Sequence, residues 1–278
     1  MSSTRRLIRW RRSPVPPNSV GELAAFRADG FLTLPPDPDI ANWAGAALSV
    51  AQPLVQAPAQ RDRWLRCGGT WFAGVDLLPN EADGTIEGVP LAGAPLGVID
   101  AFGLRPKTWH RAQVSVVYPG YPQPMDGESE AAARYRIKRD AAHVDGILPI
   151  GPDRRRKLRE PHAFILGLPL NQTAATAAPL VAWRGSHRII GAAFADILSS
   201  HPAAKWPDID LTEVYQNARR RCFEHCERVL LPAQPGMSTL LHRHTLHGVS
   251  PWAAPDTSPD RMIAYFRPQL ADVTDWLM

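Results

Sequence analysis

The sequence predicts a mainly β body with flanking helices, an α+β chain in which short strands outweigh long helices. Proline supplies 28 of the 278 residues, about a tenth against a usual ~5%, while the 20 glycines are ordinary, so turns and loops should be frequent. From residue 67 to 103 the apolar residues come in short runs broken by Gly, Pro and Asn, the punctuation of strands and loops. With 45% hydrophobic and 21% charged residues the chain can bury a substantial core, and disorder, collagen and coiled coil are excluded.

The Arg-rich start to about residue 18 reads as a solvated basic arm, and residues 19–278 as one domain. Ser19 and Glu22 form a capping-box pattern, Leu23 and Phe26 an apolar face and Gly30 a stop, which together predict a first helix. Phe31–Leu34, before two prolines, predicts a strand. A second helix is predicted from Asp39 through Trp43, Ala46, Ala47 and Val50, and residues 113–118 form the clearest strand of the first half. Residues 164–170 are nearly all apolar and predict a strand buried on both faces, with Leu180–Trp183 another. Helices are predicted at 189–199 and 211–228, and strands at 238–246 and 262–266. Cys222, His225 and Cys226 invite a zinc reading, yet Val214, Ala218, Cys222 and Cys226 step by four and make a helix stripe that packs into a core.

No stretch approaches the ~20 apolar residues that cross a bilayer, and the basic start runs into prolines instead of an apolar export segment. Three cysteines form no disulfide framework. The expectation is a cytoplasmic protein without a membrane partner. The net charge of +4 is uneven: residues 1–12 hold five arginines and no acid, and residues 134–160 hold nine basic against four acidic side chains. Such a field attracts anions. Neither a zinc-finger spacing nor an RNA-binding aromatic motif accompanies it, so nucleic acid is set aside in favour of small anionic substrates.

The chemistry concentrates at His143-Val144-Asp145-Gly146. In an extended segment, residues two apart point to one side, so imidazole and carboxylate converge and can share a metal. Alone the pair is a weak signal, since a His hydrogen-bonded to a neighbouring carboxylate is the plainer account. A third ligand must come from elsewhere, and His242, His244 and His247 all compete. Two imidazoles and one carboxylate leave three positions of an octahedral ion open, the arrangement of non-haem Fe(II) oxygenases.

The order of His-x-Asp, apolar strands, Trp183-Arg184-Gly185-Ser186-His187, His247-Gly248-Val249-Ser250-Pro251 and then Arg261 resembles the phytanoyl-CoA dioxygenase-like branch of the Fe(II)- and 2-oxoglutarate-dependent oxygenases. The opening Phe26-Arg27-Ala28-Asp29-Gly30-Phe31 is similar to that family's start, and the resemblance covers roughly residues 19–270. It implies a double-stranded β-helix (jelly-roll, cupin-like) core. It also implies His143, Asp145 and His247 as iron ligands; the plainer account of His242 and His244 is hydrogen bonding near the site or in the barrel wall. The family uses one arginine after the distal histidine to grip the far carboxylate of 2-oxoglutarate; Arg261 is favoured over Arg267, although Asp260 could tie Arg261 in a plain salt bridge. Both arginines should face one side of the last strand. Gln113 is a candidate for 2-oxoglutarate or the cavity, Arg154, Arg155 and Arg156 for a substrate-reading lid, and Trp183 for substrate contact or barrel wall. The implied reaction is hydroxylation or related oxidation of a small, anionic substrate by O2, releasing succinate and CO2. The competing hypothesis is a jelly-roll binding or structural protein whose metal site is idle or holds zinc.

Overall fold

The computed structural model describes residues 19–277 other than 126, so the basic arm and the Ser19 side chain of the expected capping box lie outside the described residues. Chain order begins α1 (Ser19–Asp29), β1 (Phe31–Leu34), α2 (Pro38–Gln56), α3 (Pro58–Trp64), β2 (Leu65–Arg66), β3 (Trp71–Gly74), α4 (Ala94–Ala101) and β4 (Gln113–Val117). It continues with α5 (Glu130–Lys138), β5 (Ile147–Ile150), β6 (Arg155–Leu158), β7 (Phe164–Pro169), β8 (Leu180–Trp183), α6 (Ser186–Leu198), α7 (Thr212–His225), β9 (Arg228–Leu231), β10 (Ser238–His242), β11 (His247–Val249) and β12 (Arg261–Phe266). Among the described residues no helix is long and apolar enough to cross a membrane.

Antiparallel sheets with flanking helices are found, but the expectation that short strands outweigh long helices is corrected: α-helices hold more of the described residues than strands do, and α2 alone runs 19 residues. Seven strands form one antiparallel sheet in the order β1-β10-β7-β12-β4-β3-β2, three more form β11-β8-β9, and β5 pairs with β6. Alternation along each strand sorts side chains onto two faces. On the large sheet Phe72, Val114, Val116, Phe164, Leu166, Leu168, Leu240, Met262, Ala264 and Phe266 share one core with the helices. α2 supplies Ile40, Trp43, Ala44, Ala47, Ala51 and Val55 to that core, a stripe at three- and four-residue steps. Each fully buried large apolar side chain there contributes roughly 1.5–3 kcal/mol. α2 begins where it does because the Asp37 carboxylate accepts from the Asp39 and Ile40 N–H groups and Pro38 occupies its first turn.

The opposite face of the large sheet carries Ile165 and Leu241, which pack with Leu180, Ala182 and Leu231 of the small sheet. The small sheet's other face, with Val181 and Trp183, packs against Ile190 and Phe194 of α6 and Tyr215, Ala218 and Cys222 of α7. The space between the two sheets is thus walled by alternate residues of several strands.

Several local expectations are corrected. Helices α3 and α4 stand within or beside the stretch read as strands and loops, and α5 and the β5–β6 hairpin replace the two basic loops. α7 stops at His225, short of the expected end at 228, and Arg228–Leu231 is a strand where none was expected. The strand expected to run to Leu246 ends at His242; a turn follows, and His247 opens a strand of the other sheet. Cys222 lies in the helix core as the stripe implied.

Candidate metal centre

The chain reaches the site through two consecutive left-handed residues, Asp140 at φ 54° and Ala141 at φ 52°. This costly conformation is held from several sides. Arg228 of β9 forks onto the buried Asp140 carboxylate through two 2.7 Å bonds, and the Asp140 carbonyl accepts from the Val249 N–H at 2.9 Å. That carbonyl lies so close to β11 that a Cβ at Gly248 would collide with it, which explains the glycine. The Tyr215 hydroxyl accepts from the Val144 N–H at 3.1 Å.

His143 and His247, about a hundred residues apart in the chain, face each other across a main-chain bridge. The His143 N–H donates to the His247 carbonyl at 2.8 Å and the His247 N–H returns the bond at 3.0 Å. Their ring centroids are 4.6 Å apart. Asp145 Oδ1 lies 3.3 Å from Nε2 of His143 and 3.9 Å from Nε2 of His247. Right-angled bonds of ~2.1 Å put donor atoms about 3 Å apart, so a small shift seats an ion.

The tautomers also fit. Nδ1 of His143 lies 3.0 Å from the Ala141 carbonyl and Nδ1 of His247 lies 2.9 Å from the Thr245 carbonyl. A carbonyl only accepts, so each Nδ1 carries a proton and it is Nε2 of each ring that is left to face Asp145 and to bind a metal once unprotonated. Burial, then the charge of His143, hold His247 down to about 4, so it is neutral at pH 7. Burial would raise Asp145, but the His143 hydrogen bond and the positive charge of Arg267 outweigh it and keep the carboxylate ionised. For His143 burial pulls the other way from Asp145, and Asp145 prevails, raising the imidazole above its ordinary value. Among the described residues no fourth His, Cys, Asp or Glu joins these three, which could hold a ferrous ion with positions to spare.

A cavity of about 240 Å³ opens on the triad, walled by Ile165, Leu180, Leu241 and Val249 and carrying Gln113, Ser115, Tyr265 and Arg267 as polar groups. Gln113 Oε1 accepts from Arg267 Nη2 at 2.5 Å, and Arg267 Nη1 lies 3.3 Å from Asp145 Oδ2. Arg261 stands on the same side of the strand direction but farther along, in a recess that also includes Leu180 and Ile263. It is 6% exposed, and its Nε and Nη1 have no hydrogen-bond partner. Among the described residues it has no ion pair, so Asp260 does not neutralise it; burial raises Asp260 instead.

Other expected site residues lie elsewhere. Arg154, Arg155 and Arg156 sit at and just before β6, on the hairpin; Arg155 faces Asp210 at 3.4 Å and Arg156 donates to the Ile147 carbonyl. None borders the cavity, because a hairpin turns them away from the site. Trp183 falls on the outer face of β8 by parity and packs edge-on against Phe223 at 5.3 Å. His242 alternates with the cavity-facing Leu241 and so points to Phe26, while buried His244 contacts Phe194 and Trp276. Arg267 as the partner of Asp145, and Asp140 with Arg228, went unread; the six-residue interval from Arg261 was the available signal for the first.

No protein-family model matches the chain, and no curated protein does. Among solved structures it is similar to the non-haem alpha-ketoglutarate-dependent carbocyclase SnoK from nogalamycin biosynthesis, at 12% identity over 90% of this chain and 87% of that one, TM-score 0.48. The epimerase SnoN from the same biosynthesis, also non-haem and alpha-ketoglutarate-dependent, matches at 15% identity over 90% and 83%, TM-score 0.47. EctD from S. alaskensis, solved with 2-oxoglutarate and 5-hydroxyectoine, matches at 15% identity over 94% and 79%, TM-score 0.46. Likenesses of this grade leave the assignment to the site's own geometry.

Proposed function

We propose that the chain is an Fe(II)- and 2-oxoglutarate-dependent oxygenase, its two sheets forming the walls of a double-stranded β-helix, that oxidises a small organic molecule. The carrying observation is the open triad of His143, Asp145 and His247, with both Nδ1 protons committed to carbonyls and both Nε2 atoms turned to one carboxylate oxygen. A closed structural zinc site wants four protein ligands, and three suit a reactive ion instead.

Bound there, iron and 2-oxoglutarate would supply the oxidising step, with succinate and carbon dioxide as the cosubstrate's products. The chain's own residues set the conditions. Asp145 stays ionised, His247 stays neutral, and His143 gives up its proton when a cation arrives. Arg261 is the candidate grip for the far carboxylate: a buried guanidinium with two unsatisfied nitrogens is costly unless an anion completes it. Gln113, tied to Arg267, borders the cavity that opens on the triad. Ile165, Leu180, Leu241 and Val249 give the cavity an aliphatic wall.

An outer cleft of about 800 Å³ adjoins this cavity at Val75 and Arg267 and is the candidate seat of the substrate. Lys107 meets Asp76, Glu160 and Asp275 there, so an entering molecule encounters both signs of charge, and the basic hairpin plays no part. Anaerobic addition of Fe(II) and 2-oxoglutarate should give a weak visible charge-transfer band, and air should then release succinate. His143→Ala should lose both signals. A wild-type protein that binds neither Fe(II) nor 2-oxoglutarate would refute the reading.

A further inference from the structure

Asp145 offers Oδ1 to both imidazoles, and its other oxygen, Oδ2, is engaged by Arg267 Nη1 at 3.3 Å. The guanidinium is not loosely placed. Its second arm, Nη2, donates to Gln113 Oε1 at 2.5 Å, across the ladder in which β12 pairs with β4. Its backbone is clamped by two imidazoles from different loops: the Arg267 N–H donates to His110 Nε2 at 2.6 Å, and its carbonyl accepts from His162 Nδ1 at 3.0 Å. His110 must leave Nε2 unprotonated to accept, and its Nδ1 accordingly donates to the Arg111 carbonyl at 2.7 Å. Three contacts therefore fix one arginine beyond the end of β12, and the arginine fixes one carboxylate oxygen.

A carboxylate can bind an ion through one oxygen or chelate through both. With Oδ2 held by a guanidinium, only Oδ1 is free, and one coordination position is kept from being filled by the protein itself. We propose that Arg267 is a positioning residue that holds Asp145 as a one-oxygen ligand, through a Gln113–Arg267–Asp145 chain. The inference rests on the metal-centre reading given above. Arg267 is thus separated from Arg261, which opens β12 and lines a different recess.

Co(II) titration of the apoprotein tests this, because its visible spectrum reports coordination number and needs no turnover. Wild type should bind Co(II) at one site. Arg267→Ala should keep its circular dichroism, weaken Co(II) by about ten- to a hundred-fold or alter the visible bands as Oδ2 joins the ion, and weaken 2-oxoglutarate binding to the Co(II) form. Arg267→Lys, which keeps a cation beside Oδ2, should recover the wild-type bands. Arg105→Ala removes a cation from the same outer cleft, where it pairs with Asp100 and not with Asp145, and should change nothing. Wild-type affinity and spectrum in folded Arg267→Ala would overturn the proposal and leave the metal centre standing. Failure of wild type to bind Co(II) would overturn both. A variant that merely melts earlier with an unchanged spectrum would also reject it, since that outcome describes packing alone.

Discussion

Arg261 is a cation placed where water cannot reach it, with two nitrogens lacking acceptors. Hydrogen bonds to charged partners contribute about 1.5–3 kcal/mol each, so Arg261→Ala should raise the apparent Kd for 2-oxoglutarate at least about tenfold while leaving Co(II) affinity within about twofold. Equal 2-oxoglutarate affinity in that variant would remove Arg261 from the site. At this scale the sequence was readable where a residue's neighbours in the chain were also its neighbours in space. His143 and Asp145 are two residues apart and share one site. Arg154, Arg155 and Arg156 were misplaced because charge density carries no direction, and the hairpin that turns them away is set by pairing of Ile147–Ile150 with Arg155–Leu158. The unpaired state of Arg261, by contrast, depends on which acids fail to reach it, a fact that belongs to three-dimensional packing.

The element that matters most is the turn into His143. Asp140 anchors it twice, by carboxylate to Arg228 of β9 and by carbonyl to Val249 of β11. Asp140 is 2% exposed, whereas the Arg228 side chain is 41% exposed, so the pair lies between a surface and a buried ion pair. Asp140→Asn should therefore cost about 2 kcal/mol in urea unfolding and weaken metal binding, since the left-handed pair of residues loses its brace. An unchanged midpoint would show that the backbone contacts suffice. Elements with a strong apolar period, α2 and the strand at Phe164–Pro169, were legible. α5 was not, because Glu130–Lys138 buries none of its residues and its charges hid a good helix former behind the Ser129 cap. The end of α7 was set too late and β9 was missed because the sequence between Cys226 and Arg228 carries no Gly or Pro to mark the break.

Across the whole molecule, parity decides what faces the interior. Arg261, Ile263, Tyr265 and Gln113, Ser115 occupy one face of the large sheet while Met262, Ala264, Val114 and Val116 occupy the other. That pattern could be read from each strand, but which face met the small sheet could not. Acid stability is a second property of the whole. His187, His242 and His244 cluster with ring centroids 5.0 and 5.4 Å apart, away from the cavity. Burial, then the charges of Arg243 and His187, hold His242 down to about 3; burial likewise lowers His187 and His244. All three stay neutral in the fold, whereas in the unfolded chain they take up protons below their ordinary 6.5. Stability should therefore be full above that value and fall as the pH drops from it toward 3. The check is a urea midpoint at about pH 7.5 and at about pH 5; equal midpoints would show that the cluster is protonated or solvated after all.

The main-chain bridge between His143 and His247 also has a kinetic meaning. Pairing two segments so remote demands that a long loop close first, so the site is a late arrival on the route from the disordered chain. An ion that grips both imidazoles acts as a clasp snapped on after assembly: it should slow opening of the finished protein far more than it hastens its formation.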